Sequence, residues 1–335
     1  MSGWQALLKD DPTGWLLEEE NPSVRYFALR ELLDLPEHDP RVAQTRAAIL
    51  QTGPVPRILD RQTPGGYWGK PEDFYVRSKY RGTVWNFIVL AELGAPGADP
   101  RIHRACEFIL SASQDRTSHG FAFESRPLSG GDPELLIPCL TGNMLFSLIR
   151  FGYLCDPRVQ AGIEWLIRYE RADDGDAPAP QGWPYHTQPR CWGKHSCHMG
   201  VVKPLKALVE IPPDQRSEEA GWLIQVAAEY LLKHRIFMSS RHTDRVRMPA
   251  WMNFGFPLFW NSDALEILLL LARLGYRDER MQPAVDLLVA KQDEGGRWPL
   301  ETSYNDRMLV TIERQGLPSK WITLAAMRVL KAYYG

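Results

Sequence analysis

The chain has no long apolar run, no excess of one charge and too few cysteines for a disulfide framework. Its longest apolar stretch, Ile267 to Ala272, falls far short of the ~20 residues that a membrane-crossing helix needs. Lys plus Arg number 39 and Asp plus Glu 41, a formal net charge of −2. That balance gives no pull toward nucleic acid or an anionic membrane. Five cysteines (Cys106, Cys139, Cys155, Cys191, Cys197) are an odd, sparse set in 335 residues. No basic segment followed by an apolar stretch opens the chain, so a reducing cytoplasmic setting is expected. Gly-x-Gly-x-x-Gly, the P-loop and the Gly-x-Ser-x-Gly elbow are missing as well, which argues against a nucleotide cofactor and a serine-hydrolase elbow.

What the chain does have is repetition. Asp39-Pro40-Arg41-Val42 returns as Asp99-Pro100-Arg101-Ile102 and Asp156-Pro157-Arg158-Val159, at spacings of 60 and 57 residues. Weaker echoes follow at Pro213 to Arg216 and Arg277 to Arg280. An Asp that accepts the free amides, followed by a Pro in the first turn, is a helix start. On the same period an apolar segment ends in Gly: Leu93-Gly94, Phe151-Gly152 and Leu274-Gly275, the usual helix stop. The connecting loops share Q-x-x-G-G-x-W, at Gln62 to Trp68 and Gln292 to Trp298, with degenerate forms at Gln114 to Phe123 and Gln181 to Trp183.

This pattern predicts first helices at roughly 3–9, 39–51, 99–113, 156–170, 216–235 and 277–291. It predicts more apolar second helices at roughly 22–34, 81–93, 139–151, 197–209, 261–274 and 319–333. Helices apolar over most of their surface are buried. The last one is as apolar as the internal ones, which favours a closed ring over a solenoid with a polar cap. The expected fold is therefore all-α: one (α/α)6 toroid over 1–335, with units starting near 39, 99, 156, 213 and 277 and a first helix pair in 1–38.

With Q-x-x-G-G-x-W repeats on a helix-pair period, the whole chain resembles the terpenoid cyclase and protein prenyltransferase superfamily. The resemblance implies an α/α toroid with a central cavity and a site where loops feed the N-termini of the inner helices. Two segments resemble the zinc-holding motifs of protein prenyltransferases: His195-Ser196-Cys197, with His in place of Asp, and Cys139-Leu140-Thr141-Gly142. The Asp-x-Asp-Asp motif of triterpene cyclases is absent, which argues against protonation-initiated cyclisation in their usual manner. The resemblance also raises a partner subunit or homo-oligomer.

Aligning the second helices on their terminal Gly puts Arg81, Cys139, Cys197 and Ser262 at one level. Thiolate and imidazole are the ligands zinc prefers. Cys139, Cys191, Cys197 and His198, with His195 in reserve, are the expected metal ligands; the alternative is that the cysteines are small core residues. Arg81, Trp85, Arg241, His242, Trp260, Lys320 and Trp321 are expected to bind substrate through Arg forks and aromatic walls. Tyr185, His186 and Asp263 are the candidate proton carriers. Arg81, Trp85, Cys139, Cys197, Trp260 and Asp263 are expected to line one cavity. Asp173-Asp174-Gly175-Asp176 reads as a solvated turn.

The expected function is an enzyme of the toroid class acting on a small, partly apolar molecule, an isoprenoid or anionic-headed one among the candidates. Lyase, cyclase or transferase chemistry assisted by zinc is the first reading. A metal-independent carbohydrate-active hydrolase or lyase and a non-catalytic binding barrel are the alternatives, because fold does not dictate function.

Overall fold

The computed structural model describes residues 3–126 and 130–335. After a 3-10 turn at Gly3–Leu7 and a short α1 (Thr13–Leu16), the chain runs through α2 (Pro22–Phe27) and a π-helical turn (Ala28–Leu32). It continues with α3 (Pro40–Ala48), a short α4 (Pro54–Leu59), α5 (Thr83–Glu92), α6 (Pro100–Ala112) and α7 (Pro138–Arg150). Then come α8 (Pro157–Tyr169), α9 (His198–Val209), α10 (Glu218–Lys233), α11 (Ala264–Arg273), α12 (Gln282–Ala290) and α13 (Lys320–Tyr334). The strands found among the described residues are a two-residue pair, Ser125–Arg126 with Gly130–Gly131.

The expected helix starts are present. Asp39, Asp99 and Asp156 each accept the amide of the Arg two residues on, at 2.9, 2.8 and 2.8 Å. Each Arg side chain folds back onto its own Asp. The fifth outer helix starts later than its weak echo implies: Ser217, not Asp214, caps α10.

Helices α2, α5, α7, α9, α11 and α13 form the inner ring. Contacts run from α5 to α7, α7 to α9, α9 to α11, α11 to α13 and from α13 back to α2. Phe27 of α2 packs on Gly94, just past α5. The closest crossing is that of α7 with α9. There a Cβ on Gly142 would lie 2.3 Å from the Lys203 carbonyl carbon, so only glycine fits.

The Q-x-x-G-G-x-W loops staple each unit to the next. The indoles of Trp68 and Trp298 donate to Ile58 O (2.8 Å) and Leu288 O (2.7 Å), and their amides donate to the Thr83 and Thr323 hydroxyls. The degenerate loop does the same with Phe121, whose amide donates to Thr141. The glutamines reach forward: Gln62 to Arg101 O, Gln114 to Arg158 O and Gln292 to Leu7 O, at 2.9, 2.8 and 2.9 Å. The last of these joins the final loop to the first turn and shuts the ring.

Candidate functional site

A cavity of about 110 Å³ lies inside the inner ring. Toward the helix N-termini it is lined by Asp263, Phe256 and Trp321, and toward the C-termini by Arg150, Glu210, Arg273 and Arg328. Phe256 and Trp321 stack with centroids 4.5 Å apart and planes 8° apart. The buried indole N–H of Trp321 has no acceptor among the described residues.

Asp263 is the N-cap of α11 and is buried. Its Oδ1 accepts from Glu266 N and its Oδ2 from Gly255 N, both at 2.8 Å. Burial pushes its pKa up to about 7, against the pull of those two amides. Loss of water outweighs the two hydrogen bonds and the pull of the Lys203 charge, which the Glu266 charge opposes.

Below it the wall is charged. Lys203 is completely buried, and its Nζ donates to both Glu266 oxygens at 2.8 and 2.7 Å. Lys206 donates to Glu266 at 3.0 Å and also to Glu92, with its Nζ 4.4 Å from the Phe146 centroid. Burial favours a neutral Glu266, but Lys203 and Lys206 override it and hold its pKa at about 2. Glu210 is likewise held at about 2, burial being outweighed by Arg150 and Arg273. The cavity is thus apolar and acid-bearing at one end and a charge network at the other.

Two of the expected site residues, Asp263 and Trp321, line this cavity. The shared cavity expected for Arg81, Trp85, Cys139, Cys197, Trp260 and Asp263 is not what the structure builds: of these six, Asp263 alone lines it. Arg81 is exposed and donates to Arg307 O at 3.0 Å. Trp85 is packed among Tyr75, Tyr80 and Phe259, its N–H spent on Tyr75 O. Trp260 carries the Lys79 ammonium on its ring. Arg241 and His242 are exposed, and Lys320 pairs with Glu18 at 2.6 Å. The reason is in the loops. Tyr80 stacks on Tyr304 and packs on Phe259, so aromatic rings occupy the loop region around Trp85.

Tyr185 packs edge-on against Trp192 and Tyr169, His186 is exposed, and neither lines the cavity. Cys139, Cys191 and Cys197 do come within electrostatic range of one another. Burial raises the Cys139 thiol strongly, and it pushes Cys191 up to about 12, so both are neutral thiols. His198 hydrogen-bonds Tyr230 Oη through Nδ1 at 3.0 Å and sits against His234 and Trp251. Burial lowers its pKa to about 3. His195 lies 3.5 Å from Asp174. As arranged these side chains do not fit a zinc ion: among the described residues no group of three or more His, Cys, Asp or Glu is placed to hold a metal.

Asp174 corrects the solvated-turn reading. It is buried, accepts from Ser240, and lies 3.3 Å from His234 Nε2, so the turn anchors the loop after α10. The residues that sequence reasoning missed are the cavity charges Arg150, Lys206, Glu210, Glu266 and Arg273, with Lys203 buried behind them against Glu266. Their signal was present: Lys203 and Lys206 stand three apart, one helical turn, inside Val201–Val209, and Glu266 interrupts an otherwise apolar run.

No protein-family model and no curated protein matches the chain. Among solved structures it is similar to a protein from Actinoplanes, at 13% identity over 93% of this chain and 90% of that one, TM-score 0.44. It is similar to the type II terpene cyclase MstE from Scytonema, at 16% identity over 93% of this chain and 87% of that one, TM-score 0.44. It is also similar to a family 76 glycoside hydrolase from a bovine Bacteroides thetaiotaomicron strain, at 13% identity over 94% of this chain and 68% of that one, TM-score 0.44. The all-α toroid itself is established by the chain's own ring of helix contacts.

Proposed function

We propose that the chain is an enzyme whose central cavity binds a small, partly apolar molecule and whose Asp263 delivers a proton to it. The observation that carries this reading is a buried carboxyl group with a pKa of about 7 on the wall of an aromatic-lined cavity. Near neutral pH a large fraction of Asp263 holds its proton. Once the proton leaves, the amides of Gly255 and Glu266 are already aimed at the two oxygens and stabilise the carboxylate without rearrangement. Phe27, Phe256 and Trp321 give the cavity an aromatic, apolar wall that suits the apolar part of such a molecule. A general acid works best when its pKa lies near the working pH.

The test is to incubate the purified chain and its Asp263→Asn variant with short isoprenoid alcohols and epoxides and with small aromatic acids. Products are followed by mass spectrometry at several pH values. The expected result is turnover by the parent that falls as pH rises through about 7, and a variant slower by ~10²–10⁴-fold that still binds. An equally active variant, or a parent that binds and converts nothing in the panel, overturns the reading.

A further inference from the structure

Four cations line the central cavity: Arg150, Lys206, Arg273 and Arg328. Three have a carboxylate in direct reach. Lys206 lies between Glu92 and Glu266, Arg273 donates to Glu210 at 2.6 Å, and Arg328 pairs with Glu31. Arg150 is the exception. Its nearest carboxylate is Glu210 at 3.9 Å, an oxygen group already engaged by Arg273, and it makes no hydrogen bond among the described residues. Its guanidinium instead lies 5.1 Å from the Phe27 centroid and 5.5 Å from that of Phe146, with its side chain only 21% exposed.

Arg150 ion-pairs with Glu210 at 3.9 Å but spends none of its N–H donors on a hydrogen bond among the described residues, and its guanidinium keeps contact with solvent in the cavity. Arg150 therefore offers the cavity an unspent fork of donors. Its fork matches a carboxylate or a phosphate, and Arg273 and Arg328 line the same end of the cavity. Resting on the reading that this cavity holds the ligand, we propose that Arg150 binds the oxyanion head of an amphipathic ligand whose apolar body extends along Phe27, Phe146 and Leu269 toward Asp263. Along α11, Asp263 and Arg273 are ten residues apart, which is ~15 Å of helix. A single medium-length chain spans most of that distance.

The test uses the full chain and three probes of one length: octanoate, octyl phosphate and 1-octanol, titrated calorimetrically. For the parent, at least one of the two anions binds ~10-fold or more tighter than octanol. The preference between them identifies a carboxylate or a phosphate head. Arg150→Gln brings that anion to the level of octanol and leaves octanol itself unchanged. Arg150→Lys, which keeps the charge but loses the fork, gives an intermediate loss and serves as the test if the Gln variant does not fold. Octanol binding as tightly as the anions, or an anion preference that survives both substitutions, overturns the proposal while leaving the cavity reading intact. Binding of none of the three probes overturns both.

Discussion

The side chain of Gln292 bonds the backbone of Leu7 and Lys9 at once. Its Nε2 donates to Leu7 O at 2.9 Å and its Oε1 accepts from Lys9 N at 3.1 Å, across more than 280 residues of chain. The earlier loops spend their glutamines on the next outer helix in the same way, so Gln292 treats the first turn of the chain as the seventh unit of a six-unit ring. Gln292→Ala is expected to cost ~1 kcal/mol by removing two hydrogen bonds to half-buried backbone groups, read as a lower midpoint in urea unfolding. Gly296→Ala at the same seam is expected to cost at least as much. Its φ is +68° and a Cβ would lie 2.0 Å from Asp10 O.

Asp263 should give the fold a distinctive pH dependence. Its pKa is raised in the folded chain to about 7 from 3.8, so the native state holds a proton that the unfolded chain releases. Its contribution to stability is therefore greatest below about pH 4 and is lost as pH rises to about 7, by roughly 4 kcal/mol at 1.36 kcal/mol per pH unit. Asp263→Asn should remove that decline. Urea unfolding at stepped pH checks it, and a variant with the same slope as the parent would show the shift to be absent.

Lys203 and Glu266 form a buried pair, so removing Lys203 leaves Glu266 with Lys206 alone, which Glu92 shares. Lys203→Met is expected to destabilise by about 1.5–3 kcal/mol, the range for lost hydrogen bonds to a charged group. Lys203→Met with Glu266→Gln should recover much of that loss, because no carboxylate is then stranded. Additive losses in the double variant would show that the two residues do not act as a pair.

The five thiols should separate on reaction with an aromatic disulfide at mildly alkaline pH. Cys155 is exposed and should react first. Cys106 is fully buried, and burial raises its thiol and that of Cys139 strongly, with Cys191 at about 12. Those three should react only as the chain opens, since the thiolate is the reactive form. Fast labelling of Cys139 or Cys191 in the folded chain, located by mass spectrometry, would contradict the raised thiol pKa of these half-buried residues.

The helix ring was legible in the sequence because its signals are local. Asp99 caps the helix that follows it, Trp68 pins the helix just before it, and each depends on residues close by in the chain. The direction each side chain takes in the cavity is not local. Trp85 sits on an inner helix as expected yet packs in an aromatic cluster, because Phe259 and Tyr304 meet Tyr80 and Trp85 from loops far apart in sequence. Arg150, Lys206 and Glu266 read as charges in apolar helices, and only the closed ring shows them facing one space, where partial removal from water makes pairing decisive. The order of helices, their caps and the staples between units were thus set by short-range chemistry. Which charges meet in the middle, and which of them keeps donors free for the cavity, was decided when the ring closed.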